Sequence, residues 1–180
     1  MKELSLHILD IVENSIKARA SLIELIIDED SAKDVLSIEV KDNGVGMSEE
    51  VLEKVINPFY TTRTTRKVGL GIPLLKENAE RCGGFLKIIS QEGRGTQLIA
   101  EFQHSNIDRP PLGNLADTIV AIINNELMQE FILERIYNGA SYSLDTREIK
   151  QVLEVDSLAE SDILLWIKDY INTNEKELLI

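Results

Sequence analysis

The stretch LSIEVKDNGVG, residues 36–46, constrains this chain more than any other part of it. Its first six residues alternate apolar and polar, the pattern of a strand with one buried face. That strand runs into Asp42-Asn43-Gly44, and an Asn-Gly pair is a strong turn signal. A sheet therefore delivers a carboxylate to a fixed point at a strand end. Gly44 and Gly46 carry no side chains, so a flat ring can lie against the backbone beside it. Asp42 is an acceptor suited to an exocyclic amine such as N6 of adenine. Taken alone, Asn-Gly is only a turn, so the assignment depends on what the rest of the chain places around it.

Upstream, Ile8, Ile11, Val12 and Ile16 recur at helical spacing within residues 5–18. Asp10, Asn14 and Lys17 recur at i, i+4 and i+7 and form a separate polar stripe on the same helix. LIELII (22–27) reads as a strand, paired antiparallel with 36–41 across a polar loop, DEDSAKD. Downstream, Ser48 with Glu49 and Glu50 opens a short helix, and Asn57-Pro58 ends it. Residues 59–68 are rich in threonine and basic side chains and show neither period, which predicts a mobile loop. Gly69-Leu70-Gly71 then opens a helix to Arg81, with Pro73 in its first turn and Gly83-Gly84 closing it. FLKIIS (85–90) and TQLIAEF (96–102) are strands joined by a tight turn.

SNIDRPPLG, residues 105–113, is proline-rich and reads as a linker. It separates a first unit, 1–104, from an extension, 114–180. The extension is expected to hold a helix (114–124), two strands (131–137 and 140–144) and two helices (146–154 and 157–171). It is too short for a large core of its own, so docking on the first unit is expected. With 19 basic and 31 acidic residues the net charge is −12, which argues against nucleic acid as the main partner. No apolar run is long enough to span a bilayer, so no membrane association is expected. The lone cysteine excludes a disulfide framework and fits a reducing, cytoplasmic compartment.

Three features recur in order: a helix with Asp10 and Asn14, a strand ending in Asp42-x-Gly44-x-Gly46, and Gly69-x-Gly71 opening a helix. Glycines before a helix N-terminus expose N–H donors to phosphate, and the dipole helps. An asparagine carbonyl is a hard oxygen ligand for magnesium already held by phosphates. Jointly they describe a purine nucleotide site, adenine at one end and Mg-triphosphate at the other. Neither a Walker A pattern nor GxGxxG is present, so P-loop and dinucleotide-fold readings fail.

DIVENS (10–15), DNGVGM (42–47), NPFYTTR (57–63), GLGI (69–72) and GRGT (93–96) resemble the N, first glycine, F, second glycine and GT boxes of the GHKL superfamily. That superfamily includes the ATP domains of histidine kinases, anti-sigma serine kinases and mismatch-repair ATPases. The resemblance covers roughly residues 5–103. It implies an α/β two-layer sandwich of Bergerat type: a mixed, mostly antiparallel sheet with helices on one face, here with a small C-terminal α/β extension. Carried over, Asn14 holds Mg²⁺ and Asp10 is the catalytic base. Asp42 accepts from adenine, while Gly44, Gly46, Met47 and Thr96 shape the base pocket. Gly69, Leu70 and Gly71 face the phosphates beneath a lid at 57–68 bearing Arg63, Arg66 and Lys67. ATP and magnesium are the implied cofactors.

Two departures qualify the activity. Hydrolysing members carry glutamate four residues before the magnesium asparagine, where this chain has Asp10. No helical pair with an acceptor histidine precedes residue 5, so a stand-alone protein that does not phosphorylate its own histidines is expected. Two functions are compatible with the resemblance. In one, an ATPase or kinase passes phosphate to water or to a regulatory or substrate protein. In the other, an ATP-gated switch binds its partner with little turnover.

Overall fold

A computed structural model describes residues 3–57 and 71–180. In chain order these form α1 (Leu4–Lys17), β1 (Leu22–Asp30), β2 (Val35–Asp42), α2 (Glu49–Ile56), α3 (Gly71–Arg81), β3 (Phe85–Gln91) and β4 (Gly95–Gln103). Beyond the proline-rich segment come α4 (Leu115–Ile123), β5 (Glu130–Tyr137), β6 (Ala140–Asp145), α5 (Thr146–Leu153) and α6 (Ser161–Leu178). The six strands make one open sheet in the order β3-β4-β2-β1-β5-β6. Every neighbouring pair is antiparallel except β1 and β5, which run parallel. The fold is the mixed, two-layer α/β class expected from the sequence.

Strand alternation sets the layers. Leu25 and Ile27 on β1, Leu36, Ile38 and Val40 on β2, and Leu98, Ala100 and Phe102 on β4 are all buried. The positions between them, such as Glu24, Ser37 and Glu39, belong to the opposite face. The α1 stripe expected from the sequence packs into the core, with Ile8 and Val12 fully enclosed. Burying one such side chain contributes about 1.5–3 kcal/mol. The helices bear on one another as well as on the sheet, α1 meeting both α3 and α4.

Two findings refine the sequence reading. The first three residues of the polar stretch DEDSAKD are strand: β1 and β2 stay paired out to Asp30↔Val35, leaving residues 31–34 as the turn. A charged residue such as Glu29 reads as loop, yet it is only 8% exposed because Arg135 reaches it from β5. The proline-rich segment also lies against α1. The Pro111 and Leu112 carbonyls accept from the Leu4 and Ser5 amides at 2.9 and 2.8 Å, which satisfies two donors of the first helical turn.

Candidate functional site

Asp42 is the last residue of β2, and both its carboxylate oxygens are already oriented. Oδ2 accepts from the Ser15 hydroxyl of α1 at 2.6 Å, and Oδ1 accepts from the Gly44 amide at 2.9 Å. The carboxylate is 8% exposed, so its remaining lone pairs point into a restricted space. Asn43, next along, is structural: its side-chain oxygen accepts from the Ser21 and Leu22 amides and ties the turn to the start of β1.

The glycines have a reason the sequence did not reveal. Gly46 sits at φ +68°, and a Cβ there would lie 2.0 Å from the Gln91 carbonyl oxygen. A Cβ on Gly44 would lie 2.7 Å from the Ala18 carbonyl oxygen. These residues let the 42–47 turn pass between the end of α1 and the β3–β4 turn, with main-chain bonds Val45 to Ala18 and Gly93 to Val45. Thr96 stands directly opposite Asp42 in the β2–β4 register. Its hydroxyl is 2.8 Å from that of Ser90, which accepts from the Met47 amide.

Beside the 42–47 turn lies a cavity of about 310 Å³, which Gly44 itself does not line. Asn14, Asp42, Gly46, Met47 and Thr96, all expected from the sequence, line it. So do Val40, Val55, Ile72, Ile88 and Leu98, which the sequence did not single out. An apolar slot with one fixed carboxylate at its wall is suited to a flat, amine-bearing ring. Ser15 was missed because a helix serine has many ordinary roles. It closes the DIVENS stretch, but only the fold brings it to Asp42.

Asp10 and Gly71 meet across the helix layer: a Cβ at 71 would fall 1.5 Å from Asp10 Oδ2. The Asp10 carboxylate thus rests at the N-terminus of α3, where the helix dipole favours negative charge. Asp10 and Asn14 lie one turn apart on α1. No cluster of three or more His, Cys, Asp or Glu suited to a metal is found among the described residues. Arg63, Arg66, Lys67, Gly69 and Leu70, and the expected loop from residue 58 onward, lie outside the described residues.

Neither histidine is fully exposed. His7 is 1% exposed, with Nε2 3.2 Å from the Asn78 side chain, and burial holds its pKa below the usual 6.5. His104 follows the last residue of β4 and is half-buried. Its Nε2 is 3.0 Å from Glu29, whose position at the paired end of β1 draws the ring inward. Among the described residues no helix is long and apolar enough to cross a membrane.

Residues 2–106 match the family described as histidine kinase-, DNA gyrase B- and HSP90-like ATPase. Similar proteins include the CAI-1 autoinducer sensor kinase/phosphatase CqsS of Vibrio cholerae, 30% identical over 121 residues, or 66% of this chain and 16% of the relative. The sensor histidine kinase WalK of Bacillus subtilis is 33% identical over 96 residues, 49% of this chain and 16% of the relative. Sensor histidine kinase YxdK of the same organism is 32% identical over 108 residues, 56% and 33% respectively. The chain therefore spans only a sixth to a third of these relatives.

Proposed function

From the premise that this chain belongs to the histidine kinase-, DNA gyrase B- and HSP90-like ATPase family, we propose that it binds Mg-ATP in the Asp42 cavity and passes the γ-phosphate to water or to a partner protein. The observation that carries this reading is the Asp42 carboxylate, locked by Ser15 and Gly44 at the wall of an apolar slot. In that slot the adenine N6 amine donates to Asp42, and Thr96 supports the same edge through water. The phosphates run toward Asn14 and the N-terminus of α3, which the Asp10 carboxylate adjoins at Gly71.

The donor set fits magnesium of the kind that is held mainly by phosphate. Asn14 supplies one amide oxygen, and no all-protein cage is required. When bound, the ion neutralises phosphate charge. Asn14 orients the triphosphate, and Asp10, one turn away, accepts the proton of the attacking hydroxyl. Replacing Asn14 by alanine lowers affinity only with magnesium present; with EDTA, variant and parent bind nucleotide alike.

A second reading keeps the binding and drops the turnover, so that ATP gates a partner. It is favoured by Asp10, which is one methylene shorter than the glutamate of hydrolysing members and rests against Gly71. Timed ADP release by the purified chain, with and without candidate partners, separates the two. Release that Asp10→Ala abolishes while ATP still binds supports the enzyme. Tight ATP binding without release supports the switch, and failure to bind ATP overturns both. The partner is a protein rather than nucleic acid, in keeping with the charge of −12. A cytoplasmic setting is supported by the single buried, free Cys82.

A further inference from the structure

Away from the nucleotide cavity, α5 and α6 leave an apolar groove of about 450 Å³ against the edge strand β6. On α5, Ile149, Val152 and Leu153 recur at i, i+3 and i+4; on α6, Ile163, Trp166 and Tyr170 recur at i, i+3 and i+7. Two helices thus present apolar stripes to one gap, the arrangement that a third helix completes. The stripes are open: Val152 is 80% exposed and Trp166, the sole tryptophan, 52%. Trp166 is nonetheless held in place. It stacks on Tyr170 at 5.4 Å, and the Tyr170 hydroxyl donates to the Ser143 carbonyl at 2.8 Å. A pre-positioned aromatic loses little freedom on binding and makes a good anchor.

The charge around the groove selects the occupant. Glu148 and Asp162 line it, and Glu154, Asp156 and Glu160 follow in the connection between the two helices, all exposed. The nearby cations are taken: Arg147 pairs with Asp145, Lys150 with Glu130 and Lys168 with Asp117. A second copy of this chain would bring the same acidic rim against itself, and an anionic lipid surface is repelled likewise. We propose that the groove docks an amphipathic helix of a partner protein whose apolar stripe is flanked by lysine and arginine. Apolar residues fill the space between α5 and α6, and the partner's cations face the rim carboxylates. The site is independent of the nucleotide reading.

The test is a selection on the full chain without nucleotide, so failure of ATP binding does not affect it. The probe is a displayed library of 14-residue peptides with apolar residues fixed at i, i+3, i+4 and i+7 and the other positions random. The expected binders are enriched in lysine and arginine. As synthetic peptides they shift Trp166 emission to the blue, and they weaken when salt is raised from 0.1 to 0.5 M. Val152→Asp, at a position too exposed to unfold the chain, weakens them at least tenfold. Versions with every lysine and arginine changed to glutamate do not bind. No binders, neutral or acidic binders, binders indifferent to Val152→Asp, or concentration-dependent dimerisation that buries Trp166 would each overturn the proposal.

Discussion

Replacing Arg135 by methionine tests how the two parts of the sheet are joined. The guanidinium is 1% exposed and bonds to Glu29 on β1, to Glu175 on α6 at 3.0 Å and to the Ile136 carbonyl at 2.8 Å. Its carboxylate partners have side chains only 10% and 18% exposed. Glu175 also accepts from Tyr142, whose phenol burial and the adjacent carboxylate hold well above its ordinary pKa. Methionine fills much of the volume but takes the cation away from two carboxylates in a low-dielectric setting, leaving Glu29 with His104 and Glu175 with Tyr142. Removing one partner of a buried ion pair costs about 3–5 kcal/mol. At about 2–4 °C per kcal/mol for a chain of this size, Tm falls by about 6–20 °C. Urea titration followed by far-UV circular dichroism and by Trp166 emission measures the loss. Adding Glu29→Gln and Glu175→Gln recovers part of it, since neither charge then stays buried. A loss below about 1 kcal/mol would refute the reasoning. So would separate transitions for the two probes in the unmodified chain, because β1 and β5 then would not melt as one unit.

Gly46→Ala destabilises the chain by about 1–3 kcal/mol, the usual cost of forcing an extra carbon into a packed site, because its Cβ meets the Gln91 carbonyl at φ +68°. Thermal melts and ATP calorimetry read both effects, and an unshifted Tm contradicts the close approach. His7 makes stability pH-dependent. Its folded pKa is lowered from 6.5 by burial, so below pH 6.5 the unfolded chain binds the extra proton and stability declines as pH falls toward the folded pKa. His7→Gln flattens the denaturation midpoint between pH 6.5 and 5.5; an unchanged slope removes His7 as its source.

Local pattern was enough for the strands that alternate and for helices with one apolar stripe. LSIEVK became β2, and Ile8, Ile11, Val12 and Ile16 face the core. Asp42 was legible because a strand end and a glycine turn fix it in a single short stretch. What was not legible depends on residues far apart in the chain. Glu29 is a buried strand residue only because Arg135 lies 106 residues away. Ser15 holds Asp42 across 27 residues, and Ser90 reaches Met47 across 43. The parallel insertion of β5 beside β1 leaves no mark in the periodicity of either strand, since pairing partners are chosen by the whole sheet. The glycines were found, but their backbone contacts with Ala18 and Gln91 belong to the assembled turn.

The central claim is that Asp42 reads the N6 amine of adenine, and a calorimetric cycle tests it directly. ATP and purine riboside triphosphate, which lacks that amine, are titrated into the unmodified chain and into Asp42→Asn. A hydrogen bond to a charged acceptor contributes about 1.5–3 kcal/mol, so the unmodified chain should prefer ATP by roughly ten- to a hundredfold. Asparagine keeps an acceptor oxygen but loses the charge, and the preference should shrink to a few-fold while the fold stays intact by circular dichroism. Equal affinity of the unmodified chain for both nucleotides, or an undiminished preference in Asp42→Asn, would contradict the account.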